Sequence, residues 1–386
     1  MKQRSFQRYI LLMKFKFLYN FSVILVIAMA IILFPQLPLN ALTFYLRLAM
    51  IFILIIEAIF LFKTYVLKSQ SKEWAKNIGV AFLSSVIVLL LLESSFMFVP
   101  RTHGIGYSLA NILWFKKYWN PINSHGCRDD EPIKNGKKNI FFVGDSFTAA
   151  QGIKEVKDRF SDIVKANLSK TDNDIQVINL AHNSFDTKSE KESMFKFMEL
   201  SGIQPDYIVL QYYGNDIDHI AREHGLKGGE GFSPYAEMNF LTLQLVSGSY
   251  LINFLYWLVP KQDVDGYSKY LERAYSTEAI FNDHMREFRP FIEFANKRKI
   301  PLIVIIFPFM QEIELSKKLY TEKIGRFLSG SGVKYIDLSQ LLKDLPVSER
   351  VINSNDAHPS VQVHRIVGEE LSKYIILEFS KRQNEQ

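Results

Sequence analysis

One cysteine, Cys127, is all the chain holds among its 386 residues, so no intramolecular disulfide can form and cysteine usage leaves the compartment open. Strong metal-ligand spacing is also missing. There is no His-Glu-x-x-His, and Asp216, Asp218, His219 and His224 of "NDIDHIAREH" follow no ligand pattern. Gly228, Gly229 and Gly231 of "KGGEG" lack phosphate-loop spacing and read as a flexible insertion. No concentrated Lys/Arg block follows Asn139. The formal charge of +6 therefore reads as surface and membrane-flank charge, not as a nucleic-acid footprint. No cofactor, metal or nucleic-acid partner is expected, and no internal repeat is visible.

Charge is absent from Phe17 to Leu46 as well, and the first hundred residues are dominated by apolar runs. A helix needs about 20 predominantly apolar residues to cross the hydrocarbon layer. Runs near 17–37, 42–65 and 77–99 meet that need, so residues 1–100 are expected to form a transmembrane region of about three spans in the lipid bilayer. A cleaved signal peptide fits poorly, because the first apolar core is too long and two more runs follow. Lys2, Arg4, Arg8, Lys14 and Lys16 precede the first run, and Lys63, Lys68, Lys72 and Lys76 lie between the second and third. Only Arg47 lies between the first and second. The N-terminus is then cytoplasmic, and everything beyond Pro100 lies outside the cytoplasm. Glu57 and Glu93 fall inside spans, where a carboxyl is costly and often functional; the alternative places Glu93 near the outer interface and packs Glu57 against a neighbouring helix.

Residues 101–136, including "NPINSHGCRDDEPIKNGKK", are rich in turn formers and charge and read as a connector. Arg128, Asp129 and Asp130 within it read as a solvated or turn-forming cluster. From there on, apolar strand patterns near 139–144, 174–181, 206–214, 301–308 and 334–339 alternate with helical ones near 157–168, 188–202, 277–299, 311–329 and 360–380. Such alternation predicts an α/β domain over 137–386, in three α/β/α layers around a parallel sheet of about five strands. An insertion near 217–276 contains the apolar stretch 240–260. That stretch reads as a lid, as a membrane-facing segment, or as a packed helix pair; a fourth span would split the sheet across the membrane.

In open parallel sheets the chemistry collects at the carboxyl edge. Gly144-Asp145-Ser146 ends the first strand, "LAHNS" follows the second, and Gly214-Asn215-Asp216 ends the third. Late in the chain, Asp356 and His358 precede the last helix. A serine before a helix is often only an N-cap. Together with a side-chain amide and an Asp-x-His, however, it matches acyl transfer, in which Ser attacks, His takes its proton and amides hold the oxyanion.

These segments resemble the SGNH, or GDSL-like, hydrolases, over about 137–380 and with the flavodoxin-like layering of that family. The resemblance implies Ser146 as nucleophile and, through its N–H, as an oxyanion donor. Asn179 matches the second block, with Ser184 standing where glycine is usual and donating its N–H. Asn215 would be the side-chain oxyanion donor. Asp356 and His358 would be the triad acid and base. The usual acid position, three before the histidine, is Asn355 here. Gly144, Asp145, Gly214 and Asp216 are read as structural, Asp145 bonding the turn around the nucleophile. His182 either lines the pocket or sits in a solvent-exposed loop. The expected function is a membrane-anchored serine esterase acting outside the cytoplasm on an O-acyl, plausibly O-acetyl, ester of a carbohydrate or lipid-linked substrate. One alternative is an O-acyltransferase for cell-surface polysaccharide working with a multi-span membrane partner. The other is a catalytically silent envelope scaffold.

Overall fold

The computed structural model describes residues 72–104, 108–134, 138–172, 174–227, 238–259 and 264–384. The first two apolar runs, with Glu57, lie outside the described residues. The chain divides into two units, Met1–Val99 with Pro234–Leu258, and Pro100–Ser233 with Val259–Gln386.

In the first unit the third apolar run is helical up to Phe96, in the helix Lys72–Phe96. Its residues Ile87, Val88, Leu89, Leu90, Leu91 and Leu92 are all exposed, whereas Glu93 is buried. Among the described residues no helix is long and apolar enough to cross a membrane. The stretch 240–260 forms two short helices, Phe240–Gly248 and Tyr250–Leu258, and both belong to this unit.

The second unit is built on five strands: β1 Lys138–Val143, β2 Ile175–Asn179, β3 Tyr207–Tyr212, β4 Leu302–Ile306 and β5 Lys334–Asp337. They pair in parallel in the order β2-β1-β3-β4-β5. Strand residues alternate between two cores. Phe141, Val143, Ile208, Leu210, Tyr212, Val304 and Ile306 face one, with Met194, Phe197, Phe288 and Phe291 from the covering helices. Ile140, Phe142, Val209, Ile303 and Ile305 face the other, with Phe160, Val164, Val363, Val367 and Leu371. A period of two with both faces apolar explains the unbroken apolar runs in the sequence. Gly368 lets the helix Val361–Asn384 close on the helix Phe160–Leu168, since a Cβ there would lie 2.7 Å from that of Ile163.

Three features differ from the sequence reading. The connector holds a helix, Leu109–Tyr118, capped by Ser108, whose hydroxyl accepts from Asn111 N at 3.0 Å. The helix expected over 311–329 is broken into Ile313–Ser316, a π-turn Lys317–Thr321 and Glu322–Gly330. Residues around the late Asp-x-His form an antiparallel hairpin, β6 Val351–Asn353 with β7 Asp356–Pro359, where no strand pattern was read.

Candidate active site

The strand order places the topological switch between β1 and β3, after which the chain leaves to opposite faces of the sheet, toward Phe160 and Val164 after β1 and toward Phe288 and Phe291 after β3. Ser146 follows β1 and Asn215 follows β3. At the β1 end, Asp145 is the N-cap of a short helix, Ser146–Ala149, and its Oδ1 accepts from Phe147 N at 2.8 Å. Gln211 of β3 fixes the same turn, its Oε1 accepting from Asp145 N at 3.0 Å and from Thr148 Oγ1 at 2.9 Å. A Cβ on Gly144 would collide with Thr148 and Gln211, which is why glycine stands there.

The Ser146 hydroxyl lies 2.8 Å from His358 Nε2, and His358 Nδ1 lies 2.5 Å from Asp356 Oδ1. Asp356 is fully buried. Burial pulls His358 down, but the Asp356 charge, its hydrogen bond and the charge of Asp145 outweigh it and hold the imidazole above its ordinary value. Burial pushes Asp356 up, yet the charge and hydrogen bonds of His358, with the Thr102 hydroxyl, bring it below the usual carboxylate value. The resulting hydroxyl–imidazole–carboxylate chain can strip a proton from Ser146 as its oxygen attacks an acyl carbon.

Asn355 does other work. Its N–H donates to Asn353 Oδ1 at 2.9 Å and its carbonyl accepts from Gly104 N at 3.0 Å, so it shapes the β6–β7 turn. The segment after Pro100 braces this turn. Arg101 Nη2 lies 3.4 Å from Asn353 Oδ1 and 3.5 Å from Ser354 Oγ, while Asn353 Nδ2 donates to Thr102 O at 3.2 Å.

Asn215 opens the turn after β3; its Oδ1 is buried without a partner among the described residues, and its side chain lies against Asp145. Gly214 is required by close packing, because a Cβ would come within 2.8 Å of the Tyr320 ring and 3.0 Å of Phe309. Asp216 closes this turn by accepting from Tyr213 N at 3.0 Å. Ser184 is exposed and takes φ 62°, the left-handed conformation that glycine adopts freely. His182, two residues earlier, is half-buried; its N–H donates to Gly144 O at 3.3 Å and its ring meets Phe185 at 4.6 Å. Phe147 packs against Tyr213 at 4.2 Å and His358 at 5.4 Å, which gives the site an aromatic wall.

Of the charged residues within "CRDD", Asp130 is exposed, but Arg128 and Asp129 are buried, which corrects the solvated part of the expected solvated or turn-forming cluster. Arg128 donates to Ala150 O at 2.9 Å, Tyr118 O at 2.8 Å and Ile153 O at 2.8 Å, and lies over Trp119 at 4.7 Å. Asp129 accepts from Arg159 at 3.1 Å and from Asn179 N at 2.8 Å. Asn179 in turn donates to Thr148 O at 2.9 Å. This network grips the chain just after the short serine helix. Its only sequence signal was charge beside an apolar aromatic stretch, which exposed loops show as well.

Sequence reasoning also missed the buried acid Glu190, which lies near Asp145 and Asp216. Burial pushes Asp145 up to about 6, against the opposing Phe147 N–H and His358 charge. Burial and the neighbouring carboxylates push Glu190 and Asp216 well above the usual carboxylate range. Gln211 was detectable as the one polar residue inside the buried run of β3. His219 pairs with Glu223 and His224 with Asp283, each at 2.9 Å.

No protein-family model matches the chain, and no curated protein matches it in sequence. Several solved structures are similar to it. One is a member of the lipolytic G-D-S-L family from Veillonella parvula, at 11% identity over 61% of this chain and 97% of that one, with a TM-score of 0.36. Another is a psychrotrophic esterase from Pseudoalteromonas sp. inhibited by monoethylphosphonate, at 11% identity over 63% of this chain and 100% of that one, TM-score 0.36. A third is a catalytic mutant of an acetylxylan esterase from Geobacillus stearothermophilus, at 13% identity over 62% of this chain and 95% of that one, TM-score 0.36. What the chain is similar to, over 61–63% of its length, is thus a set of lipolytic and esterase structures of distant sequence.

Proposed function

We propose that the protein is a serine esterase that forms an acyl-enzyme on Ser146. The observation carrying this is the contiguous chain from Ser146 Oγ through His358 to buried Asp356, at 2.8 and 2.5 Å. Its steps follow from the residues. His358 takes the Ser146 proton as Oγ attacks the ester carbonyl, and Asp356 stabilises the imidazolium. The Ser146 N–H, the Ser184 N–H and the Asn215 amide hold the oxyanion. The protonated imidazole then gives its proton to the departing alkoxide. Water enters with His358 again as base and releases the acid.

The substrate we assign is an O-acyl ester, of acetyl type, on a carbohydrate or lipid-linked acceptor outside the cytoplasm. Membrane anchoring is part of the same reading. It is supported by the uncharged run from Phe17 to Leu46, by the exposed apolar residues Ile87–Leu92, and by the Lys/Arg distribution around the runs. The deciding experiment is hydrolysis of p-nitrophenyl acetate together with fluorophosphonate labelling. Wild-type protein turns over and is labelled at Ser146, and Ser146→Ala does neither. Wild-type turnover by the alanine variant would overturn the assignment.

A further inference from the structure

The stretch between Ser233 and Val259 leaves the catalytic unit and returns to it, and in between it belongs with the first unit. Its two helices, Phe240–Gly248 and Tyr250–Leu258, have nine residues each. At 1.5 Å per residue each is about 14 Å long, under half of a hydrocarbon layer about 30 Å thick. Neither can cross it. No charged residue occurs from Phe240 to Leu258, and Phe240, Leu241, Leu245, Leu255 and Leu258 are exposed.

The elbow between the helices shows what surrounds it. Ser249 is extended (φ −109°, ψ 127°), so the helix after it starts with orphan N–H groups. Glu93 satisfies them from another helix. It accepts from Tyr250 N at 2.6 Å, Leu251 N at 3.0 Å and Ser249 Oγ at 2.7 Å. Ser249 Oγ accepts from Ile252 N at 3.1 Å, and Asn253 Nδ2 donates to Val246 O at 2.7 Å. In water such donors need no guest carboxylate. In hydrocarbon, with no water to accept from them, each must find a partner within the protein. The six exposed residues before Glu93 are consecutive, so at about 100° each they cover the whole circumference of their helix. Depth agrees too. Glu93 stands three residues before Phe96, the last residue of its helix, about 4.5 Å along the axis and within the reach of a hairpin about 14 Å deep.

We propose that residues 240–258 form a re-entrant hairpin embedded in the acyl chains of one leaflet, with Glu93 as its polar anchor, and not a lid in water over the active site. The exposed residues of both helices are all apolar, as a hydrocarbon surrounding requires, and the elbow's buried Ser249 and Asn253 are bonded within the unit. The inference rests on the membrane anchoring proposed above.

The test uses full-length protein in phosphatidylcholine vesicles. Cys127→Ser is combined with one spin-labelled cysteine at a time, Leu90→Cys, Leu245→Cys or Leu255→Cys. Collision with oxygen, which concentrates in lipid, is compared with collision with a water-soluble nickel chelate. All three positions are expected to favour oxygen, and adding Glu93→Ala is expected to raise nickel collision at position 255. High nickel collision at 245 and 255 with oxygen still favoured at 90 would overturn the hairpin and leave the anchoring intact. High nickel collision at all three would overturn both. Turnover of p-nitrophenyl acetate by the same labelled proteins reports folding and tests the esterase reading separately.

Discussion

Asp356 and His358 lie two residues apart on one strand and meet at 2.5 Å between Oδ1 and Nδ1. A strand turns alternate side chains to the same face, so an Asp-x-His spacing delivers acid and base together when it is extended. Asn355, one place earlier, falls in the turn and braces it.

The pH profile follows from this pair. His358 is held above the ordinary histidine value of about 6.5. A general base must be unprotonated, so kcat/KM for p-nitrophenyl acetate is expected to rise with pH and reach half-maximum above pH 6.5. Asp356→Asn removes the larger of the two charges that hold the imidazole up and leaves burial, which pulls it down, opposed by Asp145 alone. The midpoint should then fall, and kcat should drop about 10⁴-fold. An unmoved midpoint would count against the pairing.

Asn215→Ala tests the amide at the end of β3. Loss of one oxyanion donor lowers kcat about 10²–10³-fold. The change should appear in kcat with KM little altered, and the melting temperature should stay close to that of the wild type.

The buried acids set the pH dependence of stability. Asp145 is raised to about 6, and Glu190 and Asp216 are raised well above the usual range. A raised folded value means the native state keeps protons that the unfolded chain has released. Stability is then full below the unfolded carboxylate value of about 4 and is lost as pH rises through the folded values. Glu190→Gln, a neutral isostere, should raise the melting temperature above pH 6 and make its decline with pH shallower. Parallel wild-type and variant curves in calorimetry would refute this.

Arg128→Lys replaces a five-donor planar fork with a three-donor ammonium and leaves carbonyls of Ala150, Tyr118 and Ile153 short of partners. The expected cost is roughly 2–3 kcal/mol of stability. Because Ala150 directly follows the serine helix, kcat should fall more than KM rises. Thermal melts and steady-state kinetics read the two effects apart.

The five-stranded parallel sheet was legible because its central strands β1, β3 and β4 are buried on both faces and write unbroken apolar runs such as "IFFV" and "LIVII". Ser146, Asn215 and the Asp356/His358 pair were legible as polar residues at strand ends or in a late turn. What the sequence could not disclose depends on contacts made far along the chain. Arg128 looks like any loop arginine until Tyr118, Ala150 and Ile153 bring carbonyls to it. Glu190 sits in a polar helix pattern, and only the sheet beneath it makes it a buried acid. The β6–β7 hairpin is short and polar, and it owes its place to Arg101, Thr102 and Gly104 rather than to its own pattern.

That bracing moves the frontier of the working site. A chain trimmed to begin at Leu109 would keep Ser146, Asn215, Asp356 and His358, yet it would lose the strap formed by Gly104 on Asn355 and by Thr102 on Asn353. Shortening to Arg101 and shortening to Leu109 are therefore different operations. The first removes only what precedes the second unit's Arg101, and the second slackens the turn that carries His358.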